Sequence, residues 1–81
     1  MAQAAKLLAD MRHNPRADWR IEQFETVARA YNVNVRKPRG SHMIFEHPRV
    51  IEGLSVPARR PIKPIYVRRF VTFIDRVCAG G

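Results

Sequence analysis

Apolar residues recur along the chain with periods that change from segment to segment. Ala4, Leu7, Leu8 and Met11 fall at i, i+3, i+4 and i+7, which predicts a short amphipathic helix ended by Asn14-Pro15. Ile21, Phe24, Val27, Ala28 and Tyr31 share one face of a second helix, with Asp18 as its N-cap and Asn32 closing it. The pattern then alternates: Val33 and Val35 point one way, Asn34 and Arg36 the other, as in a half-buried strand. After a turn at Pro38 and Gly40, a second strand over 41–46 places Met43 and Phe45 on one face and His42 and Ile44 on the opposite one. HPRVIEG reads as a loop, Leu54 to Val56 as a short third strand stopped by Pro57, and Pro57, Pro61 and Pro64 as a stiff extended segment. A last helix carries the apolar stripe Val67, Phe70, Val71, Ile74, Val77 and Cys78 before Gly80-Gly81.

The order α-α-β-β-β-α predicts an α+β domain, a three-stranded antiparallel sheet with helices on one face and the other face left for a partner. Eighty-one residues hold one such domain, near the lower size limit for a core without staples. Residues 1–15 form an additional N-terminal helix and 18–78 the core. The lone Cys78 excludes an internal disulfide or a cysteine-rich zinc site and is expected to be a half-buried structural thiol in a reducing compartment. No apolar run approaches the roughly 18 residues of a membrane span, and AQAAKLLADM lacks a signal-peptide core, so no membrane partner and a cytoplasmic location are expected.

Charge changes this picture. Fifteen Lys and Arg against seven Asp and Glu give +8, and twelve of the cations are Arg. Residues 35–69 hold nine cations and only Glu46 and Glu52, a net of +7, whereas residues 1–34 carry five cations and four acids. Such a concentration of guanidinium groups predicts a polyanion partner, since Arg matches phosphate bidentately and a basic surface steers nucleic acid. No pair of carboxylates has the convergent spacing of a hard-cation site, so no metal or other cofactor is expected.

The stretch PRGSHM has the letters that a cleaved purification tag leaves at a terminus, but here it lies mid-chain and runs directly into the strand IFEHP. It therefore belongs to the fold, and its histidine requires a reason. Gly40-Ser41-His42, Met43-Ile44-Phe45, Ser55-Val56-Pro57 and Ile62-Lys63-Pro64, in this order, resemble the HicA family of toxins from type II toxin-antitoxin pairs, over about Asp18 to Val77. The resemblance implies a fold like the double-stranded-RNA-binding domain, endoribonuclease activity on mRNA, silencing by a HicB-type antitoxin, and His42 as the catalytic histidine. Family members often follow Val-Pro with a histidine; this chain has Ala58-Arg59-Arg60, so no second histidine carries over.

RNA brings its own nucleophile, the 2′-hydroxyl. An imidazole, with an unperturbed pKa of about 6.5, suits the proton transfers. On this reading His42 is base or acid, and Arg36, Lys37, Arg39, Arg59, Arg60 and Lys63 supply RNA binding and charge stabilisation. Ser41 orients the phosphate, and Gly40 lets backbone approach the ligand. The segment Arg59–Lys63 also stands before a helix N-terminus, which attracts anions. His47, an odd number of positions from His42 and next to Pro48, belongs to the other face at a turn. His13 is a helix-end residue, and Trp19 and Tyr66 anchor helix starts in the core. The alternative is a non-catalytic RNA-binding module using the same basic face; a DNA-binding repressor ranks lower, since no helix-turn-helix pair is visible.

Overall fold

The computed structural model describes residues 3–37 and 40–79. Its elements run α1 (Gln3–His13), α2 (Ile21–Ala30), β1 (Asn34–Arg36), β2 (His42–His47), β3 (Val50–Pro57) and α3 (Pro64–Ala79), an open antiparallel sheet in the order β1-β2-β3 with three helices. This is the α-α-β-β-β-α domain that the periodicity predicts.

Alternation along β2 decides which side of the sheet is core. Met43 and Phe45 are buried, whereas His42 is exposed and Ile44 and Glu46 half-buried. Phe45 meets Phe24 from α2 and Phe70 from α3, with ring centroids 4.7 Å apart for Phe24–Phe70, 5.0 Å for Phe45–Phe70 and 6.5 Å for Phe24–Phe45. All three rings are fully buried and tilted, the arrangement that aromatic quadrupoles favour. The opposite face carries Asn34 and Arg36 from β1, His42, Ile44 and Glu46 from β2, and Ser55 and Pro57 from β3, as the cross-strand partners Arg36–Ile44–Ser55 and His42–Pro57 require.

Local chemistry sets the element ends. Asp18 is not the N-cap of α2. Arg20 is, with its N–H donating to Gln23 Oε1 at 2.8 Å, and Asp18 is engaged by Arg60 instead. Arg20 completes only half of a capping box, because a guanidinium has no acceptor. At the other end Asn32 takes the left-handed conformation (φ 60°), while Val33 N–H reaches Ala28 O (2.9 Å) and Asn32 N–H reaches Arg29 O (3.2 Å), a Schellman ending that turns the chain into β1.

Two further sequence expectations are corrected. The third strand is not Leu54–Val56 with a loop before it; it begins at Val50, and only Pro48-Arg49 turns the hairpin. Ile51, Glu52 and Gly53 all stand between the pairs Phe45–Leu54 and His47–Val50, opposite Glu46 alone, so a bulge breaks the two-residue period by which the strand would be recognised. A Cβ on Gly53 would sit 3.2 Å from Phe45 O, so glycine suits that close approach. Cys78, on the apolar stripe of α3 but in its final turn, is exposed, and Phe73 is buried instead. The glycines after α3 and the residues Pro38 and Arg39 of the expected turn lie outside the described residues.

The additional helix α1 is integral to the core. Met11 is fully buried, Leu8 is buried, and α1 packs on both α2 and α3. Arg12 clamps Asp75 of α3 with two hydrogen bonds of 2.9 and 2.7 Å. Arg49 in the hairpin turn donates to Val77 O near the end of α3. Removing the central ring should be severe: Phe70→Ala is expected to cost about 3–5 kcal/mol, seen as a lower urea midpoint with little change of slope. A loss below 1 kcal/mol would show that the triad is not central to stability.

Candidate nucleic-acid interface

His42 is the first residue of β2 and stands on the uncovered face, opposite Pro57. Gly40 before it holds φ at +107°, a conformation that L side chains rarely adopt, while a Cβ there would touch nothing. Its role is thus conformational: it aims the chain into the strand. Ser41 is exposed, and its carbonyl accepts the N–H of Ala58, which pins the start of the 58–63 segment beside His42.

A shallow cavity of about 240 Å³ opens at this corner, between the start of β2 and the first turns of α2. His42 shares it with Ile21, Glu22, Glu25, Lys37 and Ala58. Glu22 and Glu25 are what sequence reasoning missed. Both fall among the balanced charges of residues 1–34, and nothing in the local pattern shows that α2 begins over the start of β2. The helical spacing of Glu22 and Glu25, i and i+3, was the available signal. Glu25 is engaged by Arg29 (2.5 Å) and Lys37 (3.2 Å), whereas Glu22 has no ion-pair partner among the described residues.

The basic residues expected to meet RNA divide into two groups. Arg36 pairs with Glu46 across the open sheet face at 3.0 Å, Lys37 with Glu25, and Arg60 with Asp18 through two bonds of 3.1 and 2.5 Å. Arg59 and Lys63 are exposed and, among the described residues, unpaired. Arg39 lies outside the described residues. The paired cations are all more than half exposed, and surface pairs of this kind contribute little to stability, so a phosphate can displace the carboxylate.

Ile62 is buried and anchors this segment, with Arg59, Arg60 and Lys63 held outside the core. The helix terminus beyond it offers less than the bare sequence implies. Pro64 has no N–H, and Tyr66 and Val67 donate to Lys63 O at 3.0 and 3.4 Å, so among the first four positions only Ile65 keeps its donor toward solvent.

The other candidates fall where their chemistry directs. His47 is the last residue of β2, its Nδ1 accepting the Arg49 N–H at 3.1 Å, and it pairs with buried Val50 on the core side, away from His42. His13 ends α1 and is exposed. Trp19 is buried and donates to Asn14 O at 2.9 Å; Tyr66 is half-buried beneath the Arg69 guanidinium, 6.0 Å from its ring centroid. Neither presents a free ring for base stacking. Among the described residues no three His, Cys, Asp or Glu converge to hold a metal, and no helix is long and apolar enough to cross a membrane. Compared with protein-family models, curated proteins and solved structures, the chain matches none.

Hydrogen bonding to Arg60 holds the Asp18 carboxyl below the ordinary aspartate value of 3.8, and Arg12 does the same for Asp75. Glu25 is lowered by its hydrogen bonds to Arg29 and then Lys37. A depressed carboxyl contributes stability that is present above its unfolded pKa and lost as pH falls through the folded one. Asp18→Asn should therefore lie below the unsubstituted chain in thermal midpoint at pH 6, with the gap closing as pH drops below about 4. A gap that stays constant into acid would show that Asp18 acts by something other than its charge.

Proposed function

We propose that the chain is a HicA-like endoribonuclease toxin that acts on mRNA in the cytoplasm and is silenced by a HicB-type antitoxin. The observation that carries this reading is His42: an imidazole on the uncovered face, at the mouth of a shallow cavity, framed by Gly40-Ser41 and the basic 58–63 segment. Sequestered histidines serve packing; this one is available to a ligand. The resemblance in Gly40-Ser41-His42 and Val56-Pro57 supports the same assignment.

The reaction follows from these groups. A base takes the proton of the RNA 2′-hydroxyl, O2′ attacks phosphorus, the P–O5′ bond breaks, and the departing oxygen receives a proton. His42 supplies one of these transfers, and Glu22, a carboxylate of the same cavity with no ion-pair partner among the described residues, supplies the other. Arg59 and Lys63, joined by Arg36, Lys37 and Arg60 as phosphate displaces their carboxylates, neutralise the charge that develops on the phosphorane. The products are a 2′,3′-cyclic phosphate and a 5′-hydroxyl. An antitoxin that covers His42 and answers the basic segment with acidic groups is the direct means of silencing so open a site.

His42→Ala is expected to lower cleavage of a single-stranded RNA by more than about 100-fold while leaving stability within about 0.5 kcal/mol. RNA that is bound and shifted but left intact by the unsubstituted chain would replace this reading with that of a non-catalytic RNA-binding module. Excess EDTA should leave cleavage unchanged, and loss on chelation restored by magnesium would sink the acid–base mechanism. With four or five phosphate contacts, binding to a cleavage-dead variant should fall with a log–log salt slope of roughly −3, and Arg59→Ala or Lys63→Ala should each make it shallower by about 0.7. A flat salt response would rule out the basic cradle.

A further inference from the structure

A second surface lies apart from the His42 corner. Between the outer edge of β3 and α3 runs a groove of about 600 Å³, and no residue lines both it and the His42 cavity. Its helical wall presents Arg68, Thr72 and Arg76, at i, i+4 and i+8, with Arg69 and half-exposed Ile65 beside them. None of the three arginines has an ion-pair partner among the described residues, and Glu52 is the one acid of the lining.

The strand wall is a sheet edge. The Ala58 N–H donates to Ser41 O, so alternation along the antiparallel ladder turns the backbone of Val56 and Leu54 toward β2 and that of Ser55 outward, into the groove. Edge strands left open are templates for another strand. The end toward Ile51–Gly53 is bulged and carries Glu52, and Pro57 has no N–H, so within Leu54–Pro57 the outward pairing groups are the N–H and C=O of Ser55 and the C=O of Pro57. At the other side of the sheet, β1 has only three residues, and Lys37 next to it is tied to Glu25.

We infer that the β3 edge and α3 together form a strand-addition site for a short, extended, acidic segment of a protein partner. Two repeats make the fit. Four residues of helix rise about 6 Å, and two residues of strand about 6.6 Å, so side chains at alternate positions of an added strand come level with Arg68, Thr72 and Arg76 in turn. Carboxylates there meet guanidinium groups, and the backbone of the added strand meets Ser55. Side chains of the opposite parity fall on the open face of the sheet, beside Ser55 and Pro57, while Leu54 and Ile65 lie on the same side as the arginines. A nucleic acid would answer the arginines but would not match the outward N–H and C=O of Ser55 together, as the backbone of an added strand does. This site does not rest on the endoribonuclease reading.

The test uses the full chain and a fluorescent ten-residue peptide of alternating Glu and Val, read by anisotropy. Saturable binding is expected, unchanged in His42→Ala and weakened at least tenfold in the double variant Arg68→Glu, Arg76→Glu. Ser55→Pro, which removes the outward N–H without touching the ladder to β2, should weaken it similarly; if that variant fails to fold, the double variant and a peptide N-methylated at alternate residues decide. No saturable binding, or equal binding of the N-methylated peptide, overturns strand addition. A uridine decamer that loses affinity in the double variant while the peptide does not would assign the groove to RNA and overturn it too. RNA cleavage enters none of these readouts, so failure here and failure of the His42 mechanism are separately visible.

Discussion

The contact of Phe24, Phe45 and Phe70 is the constraint on which the rest of this small domain depends. Each ring comes from a different element, α2, β2 and α3, so one cluster sets the position of two helices on one sheet. Once Phe45 faces inward, the two-residue period of β2 leaves no freedom: Met43 must follow it inward and His42 and Ile44 must face out. The exposure of His42 is thus a consequence of core packing three residues away. A one-residue slip of β2 would bury the imidazole and expose both core side chains.

Charge is organised around this core in two ways. Some cations fasten elements together: Arg12 to Asp75 between α1 and α3, Arg60 to Asp18 between the proline-rich segment and the start of α2, Lys37 to Glu25 between β1 and α2. Others, Arg59, Lys63, Arg68, Arg69 and Arg76, face solvent without partners among the described residues. Because every tethering pair is solvent-exposed on at least one side, its contribution to stability is small and a phosphate or a carboxylate ligand can exchange into it. The unpaired cations of the 58–63 segment and of the α3 groove are therefore part of the surplus left over after tethering.

The fold was legible wherever a period ran undisturbed. The apolar spacing of α1, α2 and α3, the alternation of 33–36 and 42–45 and the role of Asn32 all carry through, because each is set by residues within one turn or one pleat. Val50 to Gly53 was not legible, since a bulge removes the alternation that marks a strand. The cap of α2 was misassigned for a different reason: Asp18 has the right chemistry for an N-cap, but a bidentate Arg60 from 42 positions away competes for its carboxylate. Cys78 shows the limit of a stripe, which gives direction around a helix but not where the packing partner ends. At the candidate site, the face on which His42 stands followed from parity. The approach of Glu22 and Glu25 did not, because it depends on how α2 lies against β2, a tertiary relation with no local signature.

The division between core and site bears on how such a chain can change. The residues proposed for chemistry, His42, Glu22, Arg59 and Lys63, are exposed and outside the core, and the three rings that hold the elements together, Phe24, Phe45 and Phe70, line neither the His42 cavity nor the α3 groove. Substitution at the first group alters reactivity with little effect on packing, and substitution at the second alters stability with little effect on the identity of the site. The coupling that remains runs through the 58–63 segment. Ile62 fixes it to the core, the Ala58 N–H fixes it to Ser41, and Arg60 fixes it to Asp18, so packing sets the position of this basic segment relative to His42, as the lie of α2 on β2 sets that of Glu22.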